Sequence, residues 1–102
     1  MAARAFYGGL LGMAELPKPV ALQARGGVWF RAGAQELHVG VDEPFSPALK
    51  AHPGFVVDDL DELIGRLQAA GLEPRRDESI AGVARLFVDD PFGNRLEFRQ
   101  EE

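Results

Sequence analysis

Val88-Asp89-Asp90-Pro91-Phe92-Gly93-Asn94-Arg95-Leu96-Glu97-Phe98 holds the end of one strand, a tight turn and the start of another. Proline presets its own φ, glycine supplies a positive φ, and Asp and Asn side chains bond to nearby backbone amides, so Asp90-Pro91-Phe92-Gly93-Asn94 is built to reverse the chain. The flanks predict strands over residues 85–89 and 95–100. Successive strand side chains point to opposite faces, so Arg95, Glu97 and Arg99 share one face while Leu96 and Phe98 share the other.

Upstream of this hairpin lies the clearest helix in the chain. Leu60, Leu63, Ile64 and Leu67 form one apolar stripe at helical spacing, and its buried face must meet a sheet. Asp59 with Glu62 has the spacing of a capping box, and Gly71 offers a left-handed stop. The cluster Asp58, Asp59 and Asp61 is explained by the positive end of the helix dipole without any metal. Before the helix, Phe55-Val56-Val57 predicts a strand that opens near His52, and a further short strand is expected near Arg75 after Pro74. Residues 52–102 therefore give strand, helix, strand, strand, strand.

The first half repeats most of that order. Ala5, Phe6, Leu10 and Met13 predict a helix over residues 2–11, with Gly12 as its cap. Pro17 and Pro19 interrupt regular structure, so a strand between Val20 and Gln23 would be short or lie at an edge. Residues 27–31 and 36–41 alternate as an antiparallel pair joined by Ala32-Gly33-Ala34-Gln35. Residues 42–50, with Pro44 and Pro47, have no usable period and connect the halves. Residues 1–43 thus form a second copy of the unit without its opening strand, and the overlay puts His38 where Glu97 stands.

Composition narrows the function. The 102 residues are 46% apolar, enough for one domain with a single core, and the net charge of -5 argues against nucleic acid or an anionic membrane as a partner. No apolar run reaches the length of a membrane span and no secretory leader is evident, so a cytoplasmic protein is expected. Cysteine is absent, which leaves His38, His52 and the carboxylates as metal ligands.

The hairpin resembles the C-terminal hairpin of the vicinal oxygen chelate superfamily, the group of glyoxalases, bleomycin resistance proteins and extradiol dioxygenases, where a DPxGN-type turn precedes a strand bearing a metal-ligand carboxylate. Arg4-Ala5-Phe6-Tyr7 through Leu10-Leu11-Gly12 is similar to that family's first helix, His52-Pro53-Gly54-Phe55 to the strand opening its second half, and Val57-Asp58-Asp59-Leu60 to the entry of its second helix. The resemblance spans nearly the whole chain. It implies an α+β fold of paired βαβββ modules, here without the first opening strand, whose mixed sheets curl around a cavity. It also implies ligands at His38, His52 and Glu97. A fourth ligand would come from the absent strand: either the start lies downstream of the true one, which we expect, or the protein works with an incomplete module. Exposed edges at such a gap, and the family's habit of pairing, both predict a homodimer.

Two imidazoles and a carboxylate suit iron, manganese, zinc or nickel and leave room for two substrate oxygens. Such an ion stabilises an enolate-like oxyanion as a Lewis acid, and iron(II) adds oxygen chemistry. The resemblance therefore implies a small-molecule enzyme, a metal-dependent lyase, isomerase or dioxygenase. The alternatives are a metal-free, drug-sequestering dimer of the bleomycin resistance kind and a subunit that serves assembly alone. His38 alone reads equally as an ordinary hydrogen-bonded strand residue. Glu36, on the same face, could be an alternative ligand or a partner that orients the imidazole, yet is expected to be solvated. Arg75, Arg76, Arg85 and Arg95 could complement an anionic substrate, but in an acidic protein they are expected to pair with carboxylates or face water. Trp29, Phe30, Phe87 and Phe92 are candidates for an apolar cavity wall, and Phe98 for core.

Overall fold

The computed structural model describes residues 2–100. The chain forms two compact units, one ending at Ser46 and one beginning at Pro47. Together they make an α+β protein with two sheets, neither closed into a barrel.

In the first unit a helix over Arg4–Leu10 (α1) is wound wider than an α-helix, the Leu11 amide reaching the Phe6 carbonyl at 2.9 Å. Its apolar face is real: Ala3, Phe6 and Tyr7 are buried. Tyr7 meets Phe30 with ring centroids 5.7 Å apart. Strands β1 (Ala14–Leu16), β2 (Val28–Ala32) and β3 (Gln35–Val39) form an antiparallel sheet in that order. Val28 and Phe30 turn to the buried side. The β2–β3 turn is tighter than expected, because Ala32 already pairs with Gln35 and only Gly33 and Ala34 lie between. Gly27, at φ +83, cannot be replaced cheaply: a Cβ there would sit 2.4 Å from the Val39 carbonyl oxygen.

One expectation fails here. Val20–Gln23 is a single helical turn (α2), and the strand lies earlier, at β1. Proline donates no amide to a ladder, so Pro17 ends a strand that precedes it, and Pro19 (φ -55, ψ 143) enters the turn that follows, its carbonyl accepting from the Leu22 amide at 2.9 Å. The prolines mark the end of β1, where the sequence suggested a strand after them.

The second unit follows the expected order: β4 (Gly54–Val57), α3 (Leu60–Ala69), β5 (Arg75–Asp77), β6 (Arg85–Asp89) and β7 (Arg95–Gln100). Its sheet runs β4-β7-β6-β5, with β4 parallel to β7 and the other pairs antiparallel. Leu60, Leu63 and Leu67 of α3 are buried, as are Leu86, Val88, Leu96 and Phe98 of the sheet, so one face of the helix and one face of the sheet form the core. Gln100 ties the helix start to β7 by accepting from the Leu60 amide at 2.9 Å. In the β6–β7 turn the Asp90 carboxylate is buried and accepts from the amides of Phe92 and Asn94 at 2.9 and 2.8 Å. Asp59 caps α3 by accepting from the Glu62 amide at 3.0 Å. Asp59→Ala is expected to lower stability by about 1 kcal/mol, the usual cost of losing an N-cap; an unchanged urea midpoint would show that the cap carries nothing. Among the described residues no helix is long and apolar enough to cross a membrane.

Candidate functional site

Parallel pairing of β4 with β7 sets the site. Gly54 lies opposite Glu97, and the Glu97 amide donates to the Pro53 carbonyl at 3.0 Å, so the residues entering β4 run beside the middle of β7. His52 and Glu97, 45 residues apart in sequence, meet there with Nε2 and Oε1 2.9 Å apart. Both are largely sheltered, their side chains 23% and 14% exposed. Phe87, opposite Glu97 on β6, presents its ring edge-on to the imidazole at 5.4 Å.

The hydrogen bonds assign the protons. The Lys50 carbonyl lies 2.7 Å from His52 Nδ1 and can only accept, so Nδ1 carries a hydrogen. Arg95 Nη2 donates to the same carbonyl at 2.9 Å. Its 3.3 Å approach to Nδ1 is therefore a donor beside a donor, held by the shared acceptor. On the other side of the ring, Nε2 faces a carboxylate, which favours a second proton and a charged imidazolium. The His52 pKa is accordingly raised from 6.5, first by the Lys50 carbonyl and then by Glu97, against desolvation and the Arg95 charge. Glu97 is lowered from 4.5, first by its bond with His52, against desolvation and with help from Arg85. Arg85 Nη1 stands 3.4 Å from Glu97 Oε2, while its Nη2 donates to Asp77 at 2.9 Å.

These shifts give a pH prediction. A raised His52 pKa contributes stability in full below 6.5 and loses it as pH rises through the folded value. A lowered Glu97 pKa contributes above 4.5 and loses it as pH falls through the folded value. The pair thus stabilises the metal-free protein most between about 4.5 and 6.5, and that maximum should flatten in His52→Gln. Urea midpoints against pH measure it; identical profiles for both proteins would remove the ion pair from the account.

The same pair suits a divalent ion. Two donors about 2.1 Å from an ion and at right angles lie about 3.0 Å apart, and Nε2 and Oε1 are 2.9 Å apart. Replacing the Nε2 proton with a metal leaves Nδ1–H on a backbone carbonyl, the usual support of a ligating histidine. His38, the third expected ligand, belongs to the first unit. It lies on β3 with its side chain 46% exposed, its Nε2 3.0 Å from Glu36 and its ring flat on Trp29 at 3.6 Å. Glu36 is exposed, as expected, and is also the hydrogen-bonded neighbour of the His38 imidazole. Among the described residues no three His, Cys, Asp or Glu side chains form a ligand cluster.

Two arginines and one carbonyl were not assigned to the site from sequence. Arg85 and Phe87 share a strand face with each other and, across the ladder, with Arg95 and Glu97, so alternation carried a signal for the arginines. Nothing in the residue type of Lys50 marks its carbonyl. Arg75 and Arg76 do pair with carboxylates, with Asp89 at 3.3 Å and with Asp61. Phe30 and Phe98 are core, and Phe92 is 41% exposed on the turn.

Comparison with known proteins agrees with this architecture. No curated protein matches the chain. A protein of Bacillus anthracis assigned to the glyoxalase family is 48% identical, with a TM-score of 0.95 over 99% of this chain and 83% of its own. Two more distant structures share the fold: a lactoylglutathione lyase from Agrobacterium tumefaciens (23% identity, TM-score 0.74, 97% of this chain and 83% of its own) and a genomically encoded fosfomycin resistance protein from Listeria monocytogenes (14%, 0.78, 99% and 83%). The family model for the glyoxalase/bleomycin resistance protein/dioxygenase superfamily matches residues 1–98, and the chain belongs to that superfamily.

Proposed function

We propose that the chain is a small-molecule enzyme of its superfamily, acting through a divalent ion on a substrate that offers two neighbouring oxygens. The observation that carries this is the His52–Glu97 pair, an imidazole and a carboxylate at ligand spacing, with the imidazole backed by the Lys50 carbonyl. The resemblance adds His38 as a third ligand. When bound, the ion would act as a Lewis acid that stabilises an oxyanion beside a carbonyl. The chain's own residues orient and neutralise: Lys50 fixes the ring of His52, Arg85 holds the second oxygen of Glu97, and Phe87 walls the imidazole from water.

One observation favours a second reading, a metal-free binding protein that sequesters a small molecule as a homodimer. Both Glu97 oxygens already have cationic partners, His52 and Arg85, so the pair is electrically complete without an ion. Equilibrium dialysis against nickel, iron(II), zinc and manganese separates the two. The enzyme reading expects about one equivalent bound, lost in His52→Ala and weakened in His38→Ala, because each removes an imidazole donor. Protein that takes up none of these ions is a binding protein, and light scattering then tests its dimer. Unchanged affinity in His38→Ala alone removes that residue from the ligand set.

A further inference from the structure

Arg95 stands out by its charge balance. On the sheet face that carries Glu97, the charge of Arg85 is balanced by Asp77 and Glu97, and its Nη2 also donates to Ser79. Asp89 lies opposite Arg95 in the ladder, yet its carboxylate goes to Arg75 at 3.3 Å. Among the described residues Arg95 has no carboxylate partner at all. Its contacts are the Lys50 carbonyl, the flank of His52 and the Phe87 ring, whose centroid lies 5.2 Å from the guanidinium carbon. Its Nε, like that of Arg85, is buried with no hydrogen-bond acceptor, so the missing carboxylate is what sets Arg95 apart. A guanidinium offers five N–H donors, and only Nη2 is engaged here.

A sheltered, uncompensated guanidinium is costly unless something arrives to complement it. The surrounding protein carries a net charge of -5, so a local excess of positive charge beside His52 is not a general property of this surface. We infer that Arg95 is the anion-recognition residue of the site, and that the substrate carries a compact oxyanion, a carboxylate or a phosphonate-type group, in addition to its paired oxygens. The inference rests on the reading of this face as the substrate site. Arg95 touches the side of His52 away from Glu97, so the anion is held on one side of the imidazole while the Nε2–Glu97 pair lies on the other. Phe87 supplies an apolar floor that strengthens the charge contact by excluding water.

The competing role for Arg95 is a simple clamp on the Lys50 carbonyl. Metal-free protein labelled with 15N-arginine, titrated with acetate, methylphosphonate and inorganic phosphate, tells them apart. The Arg95 Nε–H signal is expected to shift saturably with at least one anion, and the anion bound tightest identifies the oxyanion class. Arg95→Gln, which can still donate to Lys50, should bind that anion at least about tenfold more weakly, the scale of one charge-assisted hydrogen bond. Arg95→Lys should retain part of the affinity, because it keeps the charge and loses the fork. Arg66→Gln, on the helix, should bind as wild type does. No saturable shift with any of the three anions, or equal affinity in Arg95→Gln, overturns the inference. Protein that binds metal but no anion keeps the proposed function and loses this residue's role; protein that binds anion but no metal does the reverse.

Discussion

Glu97→Gln protein is expected to fold normally and to bind divalent metal at least about a hundredfold more weakly than wild type, since loss of a mere outer-shell partner already costs 10–100-fold. The amide keeps the shape of the carboxylate and a carbonyl oxygen that can accept from His52 Nε2, 2.9 Å away, and from Arg85. It lacks the charge that makes a carboxylate a ligand for a hard or borderline ion. Arg85 retains Asp77 as a partner, so the change does not strand a buried cation. His52 should report the substitution directly. Its pKa, raised first by the Lys50 carbonyl and then by Glu97, should fall when the Glu97 charge is lost. Proton NMR of the His52 ring and equilibrium dialysis on one sample measure both effects. Metal bound as tightly by the amide as by the acid would mean that Glu97 is no ligand.

Much of this site was legible in the sequence because its strongest signals are local. A turn that needs Asp90 and Gly93, a helix with leucines at positions 60, 63 and 67, and strands that alternate at period two each declare themselves within a few residues. His52 and Glu97 could be named together only through resemblance, since their meeting depends on the parallel register of β4 on β7, and no short stretch of sequence encodes it. The first half was harder. Its helix has wider turns, and two prolines around Lys18 fit either end of a strand equally well, which is why β1 was placed on the wrong side of them. Arg95 could not be singled out from the other arginines for another reason: whether an arginine is paired depends on where Asp89 leans, and Asp89 leans to Arg75.

The adjacent residue gives the opposite expectation. Phe98→Ala should lower stability by about 3–5 kcal/mol, the usual cost of deleting a buried phenyl ring, and leave the metal affinity of the folded fraction unchanged. Its side chain is 2% exposed, on a strand flanked on both sides, with Phe55 stacked at 5.3 Å. A domain of this size is stable by about 5–15 kcal/mol in total, so this one change consumes a large share. Phe92→Ala, on the exposed turn, should cost no more than about 0.5 kcal/mol. Urea denaturation of the three proteins decides it, and equal midpoints would deny Phe98 its place in the core. Because strand side chains alternate faces, Glu97 and Phe98 assign chemistry and packing to opposite sides of one strand. A one-residue slip of β7 against β4 and β6 would exchange them, burying the carboxylate and exposing the ring. The core that Phe98 builds is therefore what holds Glu97 against His52.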